Sequence, residues 1–136
     1  METDHSAEIT AHLDAPPERV WQALTDATAL AAWYWPATLR PEVTSDARAG
    51  GRFAITARAA DMGFSGVYQE FDPPRRMVQS WRWAGVDRDS RVTIGLTPAN
   101  GGTDLVVVHD QVDAATAQMY RQGWESCLGR LPGYLA

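Results

Sequence analysis

The chain contains no lysine; all 12 of its basic residues are arginines. That removes Schiff-base chemistry and a Walker-type phosphate lysine from consideration. Alanine and arginine are both abundant, so base composition alone accounts for the absence. Cysteine occurs once, as Cys127, so no internal disulfide can form and a reducing compartment is expected. No apolar run approaches the roughly 18 residues of a transmembrane helix. The lead-in "METDHSAE" has no signal-peptide core. A cytoplasmic location is the expectation. Positive charge is scarce too: 12 basic against 17 acidic residues leave a formal charge of −5, which argues against nucleic-acid binding. No glycine-rich phosphate loop is present, because "AGG" and "NGG" lie in hairpin-type turns.

What is there suits one globular domain over residues 1–136, with 45% apolar and 21% charged residues. "AEITAHLD" alternates and reads as a strand. "APPERVWQALTD" reads as a helix entered through Pro16 and Pro17, with Glu18 at its positive end. Thr25 and Asp26 can end it and cap a second short helix, "ATALAAWYW", which Pro36 stops. Strand-like runs follow, separated by turn signals. "TLRPEVT" is an edge strand by virtue of Pro41, which cannot donate to a ladder. The total is about seven strands, six of them in a consecutive meander. From Asp113, a plausible N-cap, apolar residues recur at helical spacing for about twenty residues. Pro132 should kink or end that helix. The fold class is therefore α+β, with the long C-terminal helix covering a curved antiparallel sheet over a cavity.

These segments resemble a known family. "APPERVWQALTD", "LAAWYWP", "GGRF", "GVYQEFDPPRRMVQSWRW", "VTIGLTPANGGTDLVVVH" and "GWESCLGRLPGYL" are similar, in order and spacing, to proteins related to the C-terminal domain of the activator of the heat-shock-protein-90 ATPase. These belong to the START-like, or SRPBCC, superfamily of helix-grip folds. In "LAAWYWP" Tyr34 stands where the family usually has a second tryptophan, and Trp35 where it has a glycine. The resemblance implies a hydrophobic cavity under the C-terminal helix. It implies no one activity, since the superfamily spans lipid carriers, polyketide cyclases, co-chaperones and a self-sacrificing resistance protein.

Alternation places Phe53, Ile55, Phe64, Tyr68, Met77, Gln79, Trp81, Trp83, Val92, Ile94, Leu96, Leu105, Val107 and His109 on one face of the sheet. Met119, Tyr120, Trp124, Cys127 and Leu128 lie opposite on the helix. The same residues suit a core or a small-molecule site. Gln79 stands out, because the family usually has an apolar or aromatic residue there. A buried amide without partners costs about 1–3 kcal/mol, so a side chain, water or ligand should bond it. His109 ends the last strand, either as a structural histidine at the core rim or as a general base or hydrogen-bond donor to a ligand. Glu70 has the inward phase with Tyr68 and could join it; Arg82 has the outward phase. Cys127 reads as a small core residue. Metal binding is not expected, as His5 and His12 take opposite phases and His109 is remote. Trp33 is expected in the core, and Trp35 at the cavity mouth or on an interface, narrowing access.

The expected ligand-binding set is Trp35, Phe64, Tyr68, Gln79, Trp81, His109, Tyr120 and Trp124. The expected partner is a small, largely hydrophobic molecule, bound without a cofactor by a monomer or homodimer. An enzyme acting on such a molecule through His109, or a co-chaperone-like interaction protein, are the alternatives. No catalytic constellation supports the first.

Overall fold

The computed structural model describes residues 4–136; residues 1–3 of the polar lead-in lie outside the described residues. The first strand, β1 (His5–Leu13), is followed by α1 (Pro17–Thr25), α2 (Ala27–Trp33) and a 3₁₀ turn (Ala37–Leu39). Then come β2 (Pro41–Ser45), β3 (Arg52–Ala57), β4 (Met62–Asp72), β5 (Arg76–Trp83), β6 (Ser90–Ala99) and β7 (Gly102–Val112). The chain closes with α3 (Ala114–Leu135). The seven strands form one antiparallel sheet in the order β1-β7-β6-β5-β4-β3-β2. The meander β2 to β7 is therefore completed by β1 at its far side. Pro41 opens β2, on the outer edge, where its missing N–H costs no ladder bond.

Local chemistry sets the helix boundaries. Extended Pro16 is the N-cap of α1 and Pro17 its first residue. The Asp26 carboxylate accepts from the Ala29 N–H at 3.0 Å and starts α2. Asp113 does the same for α3, accepting from the Thr116 N–H at 2.8 Å. The expected break at Pro132 does not occur, and α3 runs on to Leu135. Leu131 beside it is fully buried, and Tyr134 and Leu135 pack against the core. Ending the helix early would remove that packing, which outweighs the hydrogen bond that Pro132 deletes.

Two strands break the regular alternation: β7 bulges near its end, at Gln111, which has a positive φ of 65°, and β4 bulges in its middle. Tyr68 pairs with Gln79, but Glu70 pairs with Val78, so Gln69 is an extra residue and β4 bulges. Glu70 is thereby turned to the exposed face, where it meets Arg76. Its expected place beside Tyr68 goes instead to Phe71, whose ring lies 5.2 Å from Tyr68 and 5.1 Å from Trp21. Arg82 faces outward as expected and pairs with Asp89 at 2.8 Å.

The sheet's inner face and the helices enclose the core. Met77, Val92, Leu105 and Val107 are completely buried there. Helix α3 packs mainly along β1 and β7, at one side of the curved sheet. The inner face of β4 and β5 is left to the aromatic residues around the end of α2. The space between those strands and α3 becomes the site.

Candidate functional site

A cleft of about 520 Å³ opens between α3, the segment after α2, and the ends of β4 and β5. The sheet contributes its floor. Phe64 on β4 is directly paired with Trp83 on β5, and Trp81 lies two residues earlier on the same strand. Cross-strand pairing therefore brings three rings together. Phe64 and Trp81 stack with centroids 4.3 Å apart and planes 25° apart, and Trp83 lies within 26° of both. Trp35 meets this group edge-on, at 83° to Phe64 and 72° to Trp83. Tyr120 and Trp124 close the cleft from α3.

Five of the expected residues thus line the cleft: Trp35, Phe64, Trp81, Tyr120 and Trp124. Trp35 is buried on the cleft wall, and Trp33 is in the core, with its indole N–H donated to the Ala23 carbonyl at 2.8 Å. Tyr68 and Gln79 lie deeper. They line a separate cavity of about 30 Å³ that shares Tyr34, Phe64, Trp81 and Trp124 with the cleft. The Ser45 hydroxyl donates to the Thr25 carbonyl, so the Tyr68 hydroxyl donates to Ser45, at 2.7 Å. Gln79 is buried, and its amide nitrogen reaches only the Met77 sulfur, at 3.4 Å. Met119, expected against the sheet, is 65% exposed and stands on the border of the cleft.

His109 lines neither space. It has no exposed surface, so it belongs to the core interior and not to its rim. The Trp124 indole can only donate, and it gives its N–H to Nδ1 at 3.0 Å. Nε2 therefore carries the proton and donates to the Ser90 hydroxyl at 2.7 Å, which in turn donates to the Trp81 carbonyl at 3.1 Å. Both ring nitrogens are occupied, and neither is free to take a substrate proton. Burial drives the imidazole down to about 3, so it is neutral at physiological pH. The residue orients the Trp124 ring on the cleft wall; it is not placed to act as a general base.

Two functional neighbours escaped sequence reasoning. Ser90 shares the inward phase of Val92 and Ile94, which was a usable signal. Arg130 follows Cys127 by one helical turn on α3, next to the apolar stripe. Its guanidinium donates to the carbonyls of Trp33, at 3.2 Å, and Tyr34, at 2.7 Å. It thus satisfies two orphan carbonyls at the negative end of α2. We expect Arg130→Ala to lose about 2–3 kcal/mol in urea unfolding. Arg130→Lys should recover less than half of that, since one ammonium cannot reproduce the fork. Cys127 is buried beside Arg130, and burial pushes its thiol up to about 11. It is a packing residue and not a nucleophile at neutral pH. Among the described residues, no three His, Cys, Asp or Glu side chains cluster as a metal site would require.

A curved antiparallel sheet gripping a long C-terminal helix defines the helix-grip class of α+β proteins. Residues 14–136 match the family described as Activator of Hsp90 ATPase homolog 1-like protein, and the chain belongs to it. Protein CV1439 from Chromobacterium violaceum is 32% identical, with a TM-score of 0.82 over 96% of each chain. CalU16 from Micromonospora echinospora is 30% identical, with a TM-score of 0.78 over 96% of this chain and 76% of its own. PFC0360w from Plasmodium falciparum, an HSP90 activator, is 23% identical with a TM-score of 0.73, covering 90% of this chain and 89% of its own. At that identity it shows a shared fold alone. No curated protein matches the sequence. No helix among the described residues is long and apolar enough to cross a membrane.

Proposed function

We propose that the protein binds a small, largely hydrophobic molecule in the cleft between α3 and β4–β5. The carrying observation is where its apolar surface is spent. Among the described residues, the large hydrophobic side chains left exposed are Val86 and Met119, and both border this cleft. A volume of about 520 Å³ falls within the range typical of small-ligand sites. The wall is aromatic, and its one charged side chain, Arg130, is already engaged with α2. Binding without turnover is favoured over catalysis, because the expected acid–base pair is separated: Glu70 lies on the exposed face and His109 has no free nitrogen. The single buried thiol supports a reducing, cytoplasmic setting.

Titration with the neutral probe N-phenyl-1-naphthylamine tests this reading. Binding should occur with a Kd of about 1–10 μM and quench tryptophan emission, since Trp35, Trp81, Trp83 and Trp124 all line the site. No emission change with this probe or with naphthalene, and no co-purifying molecule in native mass spectrometry, would overturn it.

A further inference from the structure

One buried polar atom in the wall that the cleft and the deeper cavity share is unpaired. Trp81 is 4% exposed, and its indole nitrogen is the buried side-chain nitrogen or oxygen that has no partner among the described residues. Buried donors are almost always paired, so an orphaned one calls for an acceptor. The Trp81 ring forms part of the wall of both the cleft and the deeper 30 Å³ cavity. Gln79 lies two residues away on the same face of β5 and lines that deeper cavity. Its one hydrogen bond is the weak contact to the Met77 sulfur at 3.4 Å. An unpaired donor and an under-used carboxamide therefore lie two residues apart on one face of β5, with the Trp81 ring shared by the cleft and the deeper cavity and Gln79 on the cavity side.

We propose that Trp81 and Gln79 form a hydrogen-bond subsite for a neutral oxygen acceptor at the buried end of the ligand, which is a flat ring compound carrying a ketone or a similar carbonyl. This rests on the reading of the cleft as a ligand site. The ring follows from the floor, where Phe64, Trp81 and Trp83 lie within 26° of parallel and Trp35 presents an edge. Neutrality follows from charge: the lining holds no free cation to offset a buried carboxylate. A single water in the deeper cavity is the competing occupant, and about 30 Å³ is room for one.

Two probes of similar shape separate these outcomes: 2-acetylnaphthalene, which carries the acceptor, and 2-ethylnaphthalene, which does not. Their Kd values are measured by tryptophan fluorescence on the wild-type protein, Trp81→Phe and Gln79→Leu. Trp81→Phe keeps an aromatic ring and deletes the donor. It should weaken the ketone about 10-fold relative to the hydrocarbon, the loss of one hydrogen bond. Gln79→Leu should shift the same ratio several-fold. On the wild-type protein, the ketone should move the Trp81 indole proton resonance downfield and the hydrocarbon should not, which decides the matter even if a variant folds poorly. Binding of both probes with an unchanged ratio and an unmoved resonance would overturn the subsite and leave the cleft reading standing. Binding of neither would overturn the cleft reading, and the subsite with it.

Discussion

Acidification from pH 7 to pH 4 is expected to cost the folded protein about 3 kcal/mol through His109 alone. In the unfolded chain the imidazole protonates near its ordinary value of about 6.5. In the fold, burial lowers it to about 3. Between these values the unfolded state binds a proton that the folded state refuses. Stability from this group is therefore complete above about pH 6.5 and is lost as the pH falls toward 3, by about 1.4 kcal/mol per unit. The physical block is specific. Nδ1 already accepts the Trp124 N–H, so a second proton would have to displace that bond inside a region with no solvent. The His109→Gln variant can accept from Trp124 and donate to Ser90 but cannot titrate. Urea unfolding at pH 7 and pH 4 should show the wild type losing about 3 kcal/mol more than this variant, since carboxylate effects are common to both. Equal losses would mean that the fold admits the proton.

The alternation of β5 and β6, and of β7 as far as His109, was legible because these stretches run without a bulge; the irregularity of β7 comes after them, at Gln111. The phase read from Met77 through Trp81, and from Leu105 through His109, is the phase observed. Reading failed where the chain inserts a residue without a local signature. Nothing about Gln69 announces a bulge, yet the bulge decides that Phe71 is inside and Glu70 outside. It failed again where partners are remote. The inward position of His109 could be read, but Ser90 lies on another strand and Trp124 on α3, and those two contacts turn a candidate base into a locked core residue. The site followed the same division. Trp81 and Phe64 could be placed on one face by period two, whereas the split of that face into an outer cleft and a deeper cavity depends on how α3 leans across the sheet. Arg130 was invisible for the same reason, since its role is to bind carbonyls that lie 96 and 97 residues away.

Gly123→Trp is expected to abolish binding of N-phenyl-1-naphthylamine, with Kd raised at least about 100-fold, and to leave the fold intact. Helix α3 carries three glycines, Gly123, Gly129 and Gly133, in addition to Pro132. Each glycine in a helix interior costs about 1 kcal/mol relative to alanine, so propensity alone would remove them. Close packing does not require them either: a Cβ at any of the three would meet nothing within 4 Å. Gly123 differs from the other two in lining the cleft, whereas Gly129 lines a shallow surface recess on the other side of the helix beside β1. Its bare backbone leaves volume next to Tyr120 and Trp124 that a side chain would take. An indole there occupies the ligand's place without displacing core atoms. Gly129→Ala provides the control. It should raise thermal stability by a few degrees through helix propensity and leave probe binding unchanged. Wild-type affinity in Gly123→Trp would place the ligand elsewhere, whereas lost binding with a retained melting temperature would fix it between α3 and the rings of β4 and β5.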